Sequence, residues 1–175
     1  MKYLSVLALV LAGCSAVDVA TVSKLNQIDP MDANPGDFQI IAHLPKGLEI
    51  VPESAQLKID ASNGVETVSE KYRLDQVSEG GRYELSLTDD DVARMQALQA
   101  KVKAWEEEKP DDTNGGLNVD VGVCLRDEGP ALDAPVSIDI SIASTGVLPL
   151  LRPLPAERYL DELESAGRPV GPCLF

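Results

Sequence analysis

Along much of this chain apolar and polar residues alternate one by one. That is the period of a strand with one face in a core and the other in water. Leu57, Ile59 and Ala61 alternate with Lys58 and Asp60 in the segment 55–61, and Tyr83, Leu85 and Leu87 share one face of 82–87. Leu117, Val119, Val121, Val123 and Leu125 alternate with Asn118, Asp120, Gly122 and Cys124. Val136, Ile138, Ile140 and Ile142 alternate with Ser137, Asp139, Ser141 and Ala143. Both runs are rich in β-branched residues, with one dry and one wet face, and Cys124 falls on the wet one. Phe38–Leu44 is apolar almost throughout, as a central strand is, and stops at Pro45 and Gly47. Asn63-Gly64 is a preferred type I′ hairpin pair, because both residues tolerate positive φ, and it predicts a return strand near 65–74. Ser78–Gly81 turns the chain again into 82–87.

Between 88 and 109 the period changes. Val92, Met95, Leu98, Val102 and Trp105 recur every three or four residues, an apolar stripe on one helical face. Thr88 suits the N-cap, Asp89, Asp90 and Asp91 suit the positive end of the helix dipole, and Pro110 ends the element. Asp90 and Arg94 are spaced for an i, i+4 ion pair. Beyond Gly146 the chain is punctuated by Pro149, Pro153 and Pro155. The apolar Leu148–Leu154 there is either a cover on the core or an extended docking strip, with the cover favoured. Ala156–Ser165 reads as a short helix and 167–175 as an irregular tail. The pattern predicts a mainly β fold: an antiparallel β-sandwich, immunoglobulin-like or transthyretin-like, with a helix inserted near 88–109 and a short C-terminal helix. The alternative is an α+β open sheet covered by the 88–109 helix.

Length and charge narrow the function. A chain of 175 residues holds one domain, placed at 31–175. Fifteen Lys and Arg against 29 Asp and Glu give a net charge of −14, which repels phosphate backbones and excludes nucleic acid as a partner. A single histidine, His43, supports neither a poly-His metal site nor a proton relay, and reads as a surface or hydrogen-bonded strand residue.

The first residues carry an address. Met1-Lys2 is a positive start, Tyr3–Leu11 is apolar but far short of the roughly 20 residues that span a bilayer, and small residues follow. This is the layout of a secretory signal peptide. Closed by Leu11-Ala12-Gly13-Cys14, it resembles that of the bacterial lipoproteins, whose lipobox this tetrapeptide matches. The resemblance covers residues 1–15. It implies removal of 1–13, a diacylglycerol and an N-acyl chain on Cys14, and a tether over 14–30. More than one acyl chain makes anchoring stable. Ser15, in place of an aspartate, implies sorting to the outer membrane, with the domain facing the periplasm. The resemblance implies no activity.

With Cys14 assigned to lipid, Cys124 and Cys173 remain in an oxidising compartment and are expected to pair, with the tail crossing the outside of the sheet to reach Cys124.

Catalytic motifs are missing. Neither G-x-S-x-G, S-x-x-K, H-E-x-x-H nor a phosphate-binding glycine loop occurs. The acidic loops 32–37 and 111–116 fail the calcium-loop pattern, so neither a metal nor a cofactor is expected beyond the lipid on Cys14. The chain therefore reads as a non-catalytic, membrane-anchored envelope module that binds a protein partner or serves envelope assembly. Trp105 is the candidate contact; its other reading is the edge of the core, with Lys101 over its ring. A carrier of a small apolar or cationic ligand is the alternative, and a hydrolase using two carboxylates the weakest reading.

Overall fold

The computed structural model describes residues 33–142 and 146–175, together with Ala20. The signal segment 1–13, Cys14 and most of the tether lie outside the described residues. The strands are β1 (Gln39–His43), β2 (Leu48–Ile50), β3 (Gln56–Ser62), β4 (Thr67–Glu79), β5 (Arg82–Leu87), β6 (Asn114–Asp120), β7 (Val123–Leu125), β8 (Pro135–Ile142) and β9 (Gly146–Pro155). The helices are α1 (Asp89–Glu108) and α2 (Ala156–Ser165). Seven strands form one curled antiparallel sheet in the order β6-β3-β4-β5-β1-β8-β9, and β2 pairs with β7 in a small second sheet. The mainly antiparallel β fold with an inserted and a C-terminal helix is the one the periodicity predicts.

The inward residues of the sheet, among them Leu57, Ile59, Tyr72, Leu85, Val136 and Ile140, form one core with Leu48 and Ile50 of β2. From α1 come Met95, Leu98, Val102 and Trp105, most of the stripe read in the sequence. Thr88 caps α1 by accepting the Asp91 N–H at 3.1 Å. Arg94 does not pair with Asp90 as the spacing suggested. It turns to Asp91, one residue nearer, and to Glu70 on β4 at 2.9 Å, tying the start of α1 to the sheet. A 3-10 turn at Pro35–Asp37 sits before β1, and Gln99 of α1 donates to the Ala33 carbonyl beside it at 2.8 Å.

Three local expectations change. The 117–125 run is two strands, broken at Val121-Gly122, where the chain leaves the large sheet for the small one. The Ser54 hydroxyl holds the break: it accepts the Gly122 N–H at 3.0 Å and donates to the Val51 carbonyl at 2.7 Å, while the Val51 N–H donates to the Gly122 carbonyl at 2.9 Å. The β3–β4 hairpin turns at Gly64-Val65 rather than Asn63-Gly64. Gly64 has φ of 81°, whereas Asn63 does not take positive φ. The Asn63 side-chain oxygen instead accepts the N–H groups of Val65 and Glu66 at 3.0 and 2.7 Å. The proline-punctuated stretch is a strand: β9 pairs with β8, and its Leu148, Leu150, Leu151 and Leu154 are buried. Leu148–Leu154 is thus a cover on the core, as favoured. A bulge lets Leu150 and Leu151, adjacent in sequence, both turn inward.

Candidate functional site

The outward face of β5, β1 and β8 gathers chemistry that lies far apart in the sequence. Ile41 pairs with Glu84 on one side and Asp139 on the other. His43 pairs in register with Arg82 and Ser137, and Gln39 with Ser86 and Ser141. Alternation along each strand sends all nine side chains to the same face. Ile41 is buried at its centre but is not part of the main core. Around it stand polar contacts. Gln39 donates to Glu84 at 2.8 Å, Arg82 pairs with the same carboxylate, and His43 Nε2 lies 3.5 Å from Asp139. At the flanks stand two exposed valines, Val77 on β4 opposite Glu84 and Val147 on β9 opposite Ser141.

This arrangement brings together a serine, a histidine and an aspartate, Ser137, His43 and Asp139. It lies on the outward side of a sheet, with about half of the histidine side chain in solvent. No hydrogen bond joins the Ser137 hydroxyl to the imidazole, so the nucleophile is not paired with its base. The face presents polar side chains in mutual contact, serine hydroxyls and apolar flanks.

A second cluster lies on the small sheet. Cys124 and Cys173 are joined as a disulfide, with Cα atoms 5.0 Å apart. The tail does not cross the outside of the sheet. It runs beside β7 as a short parallel bridge, with Leu125 N–H donating to the Gly171 carbonyl and Cys173 N–H to the Leu125 carbonyl. Cys124 is therefore buried, not on a wet face. On the same side Glu49 accepts two hydrogen bonds from Arg126, which holds its carboxyl below the usual glutamate range, while burial opposes the shift.

Trp105, the candidate partner contact, is 7% exposed and sits in the core, with Lys101 Nζ 4.8 Å from its ring centroid. Its place at the end of the apolar stripe turns it inward, so it presents no anchor to a partner in this fold. Nothing in the linear pattern marks Val77, Val147, Glu84 or Arg82 as one surface; only strand order and register do. A polar depression of about 260 Å³ lies by Glu53 and Arg73, lined by Pro52, Leu74, Asp75 and Gln76. It is open and polar, unlike the mostly apolar pockets that hold small ligands. Among the described residues no three His, Cys, Asp or Glu side chains cluster as metal ligands, and no helix is long and apolar enough to cross a membrane. No protein-family model matches the chain, and no curated protein or solved structure is significantly similar to it.

Proposed function

We propose that this chain is a lipid-anchored protein of the bacterial envelope whose domain binds a protein partner through the outward face of β5, β1 and β8. The observation that carries the binding reading is the face itself: polar side chains in mutual contact around Ile41, with Val77 68% and Val147 59% exposed at its flanks. Isolated exposed valines are ordinary. A pair framing a field of polar side chains is the apolar-and-polar mixture of a protein interface. The anchor and the outer-membrane address are supported by the Leu11–Cys14 lipobox and by Ser15. The Cys124–Cys173 pairing supports them too, since it leaves Cys14 as the odd cysteine.

Two measurements test this. Intact mass of the protein extracted from membranes reads the acyl chains on Cys14; an unmodified Cys14 with 1–13 still attached sinks the anchor. Crosslinking in cells, followed by mass spectrometry, reads the partner. The same neighbour should be captured by the native chain, and lost in a Val77→Arg/Val147→Arg variant that folds normally. A neighbour that persists in that variant removes the face from the reading.

A further inference from the structure

The two edges of the seven-stranded sheet are built differently. β9 carries Pro149, Pro153 and Pro155 and is bulged against β8, devices that keep an edge from pairing with another chain. β6 has none of these. Its sequence, Asn-Gly-Gly-Leu-Asn-Val-Asp, pairs with β3 through all seven residues in one unbroken register. Among the described residues no strand pairs with its other side. In a chain of net charge −14 it is also nearly uncharged: its one ionisable side chain is Asp120, and Arg168 holds that carboxylate. The burial along this edge is incomplete. Leu57 and Ile59 on β3 are 0% and 1% exposed, whereas Val119 and Leu117, paired with them, are only half-buried.

We infer that β6 pairs antiparallel with β6 of a second copy, about a two-fold axis through Leu117. This goes beyond the proposed partner face and does not depend on the lipid. In the register that uses the whole strand, Asn114 faces Asp120 of the second copy, Gly115 faces Val119, and Gly116 faces Asn118. Each valine meets a glycine, and the two Leu117 side chains meet on the core side, where each covers the apolar surface the other leaves open. The ends match as well. Exposed Asp111 and Asp112 lead into the strand, and Arg168 sits at its far end, donating to the Val121 carbonyl at 2.9 Å. Antiparallel pairing brings the acidic start of each copy to the arginine end of the other. Such a contact is closed by its symmetry and does not propagate. One strand pair is a small interface, so the dimer is weak and concentration-dependent. Two chains this acidic repel at long range, and this outweighs the local attraction at the strand ends. The dimer therefore strengthens as salt screens the repulsion.

Sedimentation equilibrium of the full chain, over a series of protein and salt concentrations, is the first test. A monomer–dimer equilibrium that shifts toward dimer with added salt is expected. Leu117→Cys should then crosslink to itself under mild oxidation, and Asn118→Cys should do so far more slowly, because its neighbour across the axis is Gly116. Asn118→Asp guards against a folding artefact. Within the chain its carboxylate lies opposite Lys58, which keeps the fold, while across the axis the two new carboxylates are diagonal neighbours, too far apart for a disulfide but close enough to repel, which weakens the dimer. A monomer at every concentration and salt overturns the inference. So does a dimer that crosslinks equally at both positions, or one indifferent to Asn118→Asp. Another protein's strand found seated on β6 of a monomeric chain overturns it too.

Discussion

Arg126 grips Glu49 with two hydrogen bonds, Nε to Oε1 at 3.0 Å and Nη2 to Oε2 at 2.7 Å. The same guanidinium stacks on the Phe175 ring at 4.9 Å and donates from Nη1 to the Phe175 main-chain oxygen at 3.0 Å. One planar cation thus joins β2, the segment after β7 and the tail. A lysine could not do this, since the grip uses the fixed fork of the guanidinium.

The grip gives a pH dependence with a definite sign. The Glu49 carboxyl is held below its ordinary value, first by the hydrogen bond from Arg126. Its stabilisation is therefore complete above the unfolded glutamate value, about 4.3, and is lost as pH falls through the lower folded value. Urea midpoints of the native chain and Glu49→Gln should differ at neutral pH and converge as pH drops below about 4. A difference that persists unchanged well below that pH, where the carboxyl is protonated in both states, would show that the pair does not carry it.

The disulfide closes a loop between positions 49 apart, so its loss frees the tail and relaxes the unfolded chain's constraint. The loop-entropy relation puts the loss at about 4 kcal/mol for Cys173→Ser. Urea unfolding with and without reductant measures it. The two native β7–tail hydrogen bonds and the Arg126 contacts should melt in the same step, visible as faster amide exchange at Leu125 and Cys173. Unchanged exchange there would show that the tail is held without the covalent link.

The periodic strands and α1 were legible because one face of each meets the core: Leu57–Ala61 and Val92–Trp105 carry that fact in their own spacing. β9 was not legible, because its prolines are permitted only by its place at a sheet edge, and edge position depends on strand order. The break at Gly122 was hidden by an alternation that runs on unbroken from Leu117 to Leu125. What ends β6 there is Ser54, whose Cβ lies 3.0 Å from where a Gly122 Cβ would stand, a contact between residues far apart in sequence. The Cys124–Cys173 pair could be expected from the cysteine count once the lipobox resemblance sets Cys14 aside, but not the parallel path by which the tail arrives. The outward face failed for the same reason as β9. His43, Glu84 and Asp139 become neighbours only through the β5-β1-β8 register.

Trp105 is the chain's single tryptophan and is buried, so it reports on the core directly. Native emission should be blue-shifted and move to the red on unfolding. Trp105→Ala should cost about 3–5 kcal/mol, the range for removing a large buried aromatic. An exposed partner anchor would instead leave stability within about 0.5 kcal/mol. Chemical denaturation followed by circular dichroism separates the two outcomes.

Tyr72 makes the last prediction, and it runs against intuition. The side chain is 1% exposed, its ring lies 5.0 Å from the Arg94 guanidinium, and its hydroxyl has no hydrogen-bond partner. Burial, aided by Glu70, pushes its pKa up to about 12. A buried hydroxyl without a partner loses its water and gains nothing in return. Tyr72→Phe keeps the ring under Arg94 and removes only that oxygen, so stability at neutral pH should be unchanged or higher by up to about 1 kcal/mol. The alkaline limb should separate the two proteins further. An unfolded tyrosine ionises near about 10 while Tyr72 in the fold resists, so the native chain loses stability as pH rises above about 10 and the variant escapes that loss at this position. Urea midpoints at neutral pH and across the alkaline range measure both effects. A variant less stable by about 1 kcal/mol at neutral pH would mean that the hydroxyl is hydrogen-bonded in solution, to an ordered water for instance.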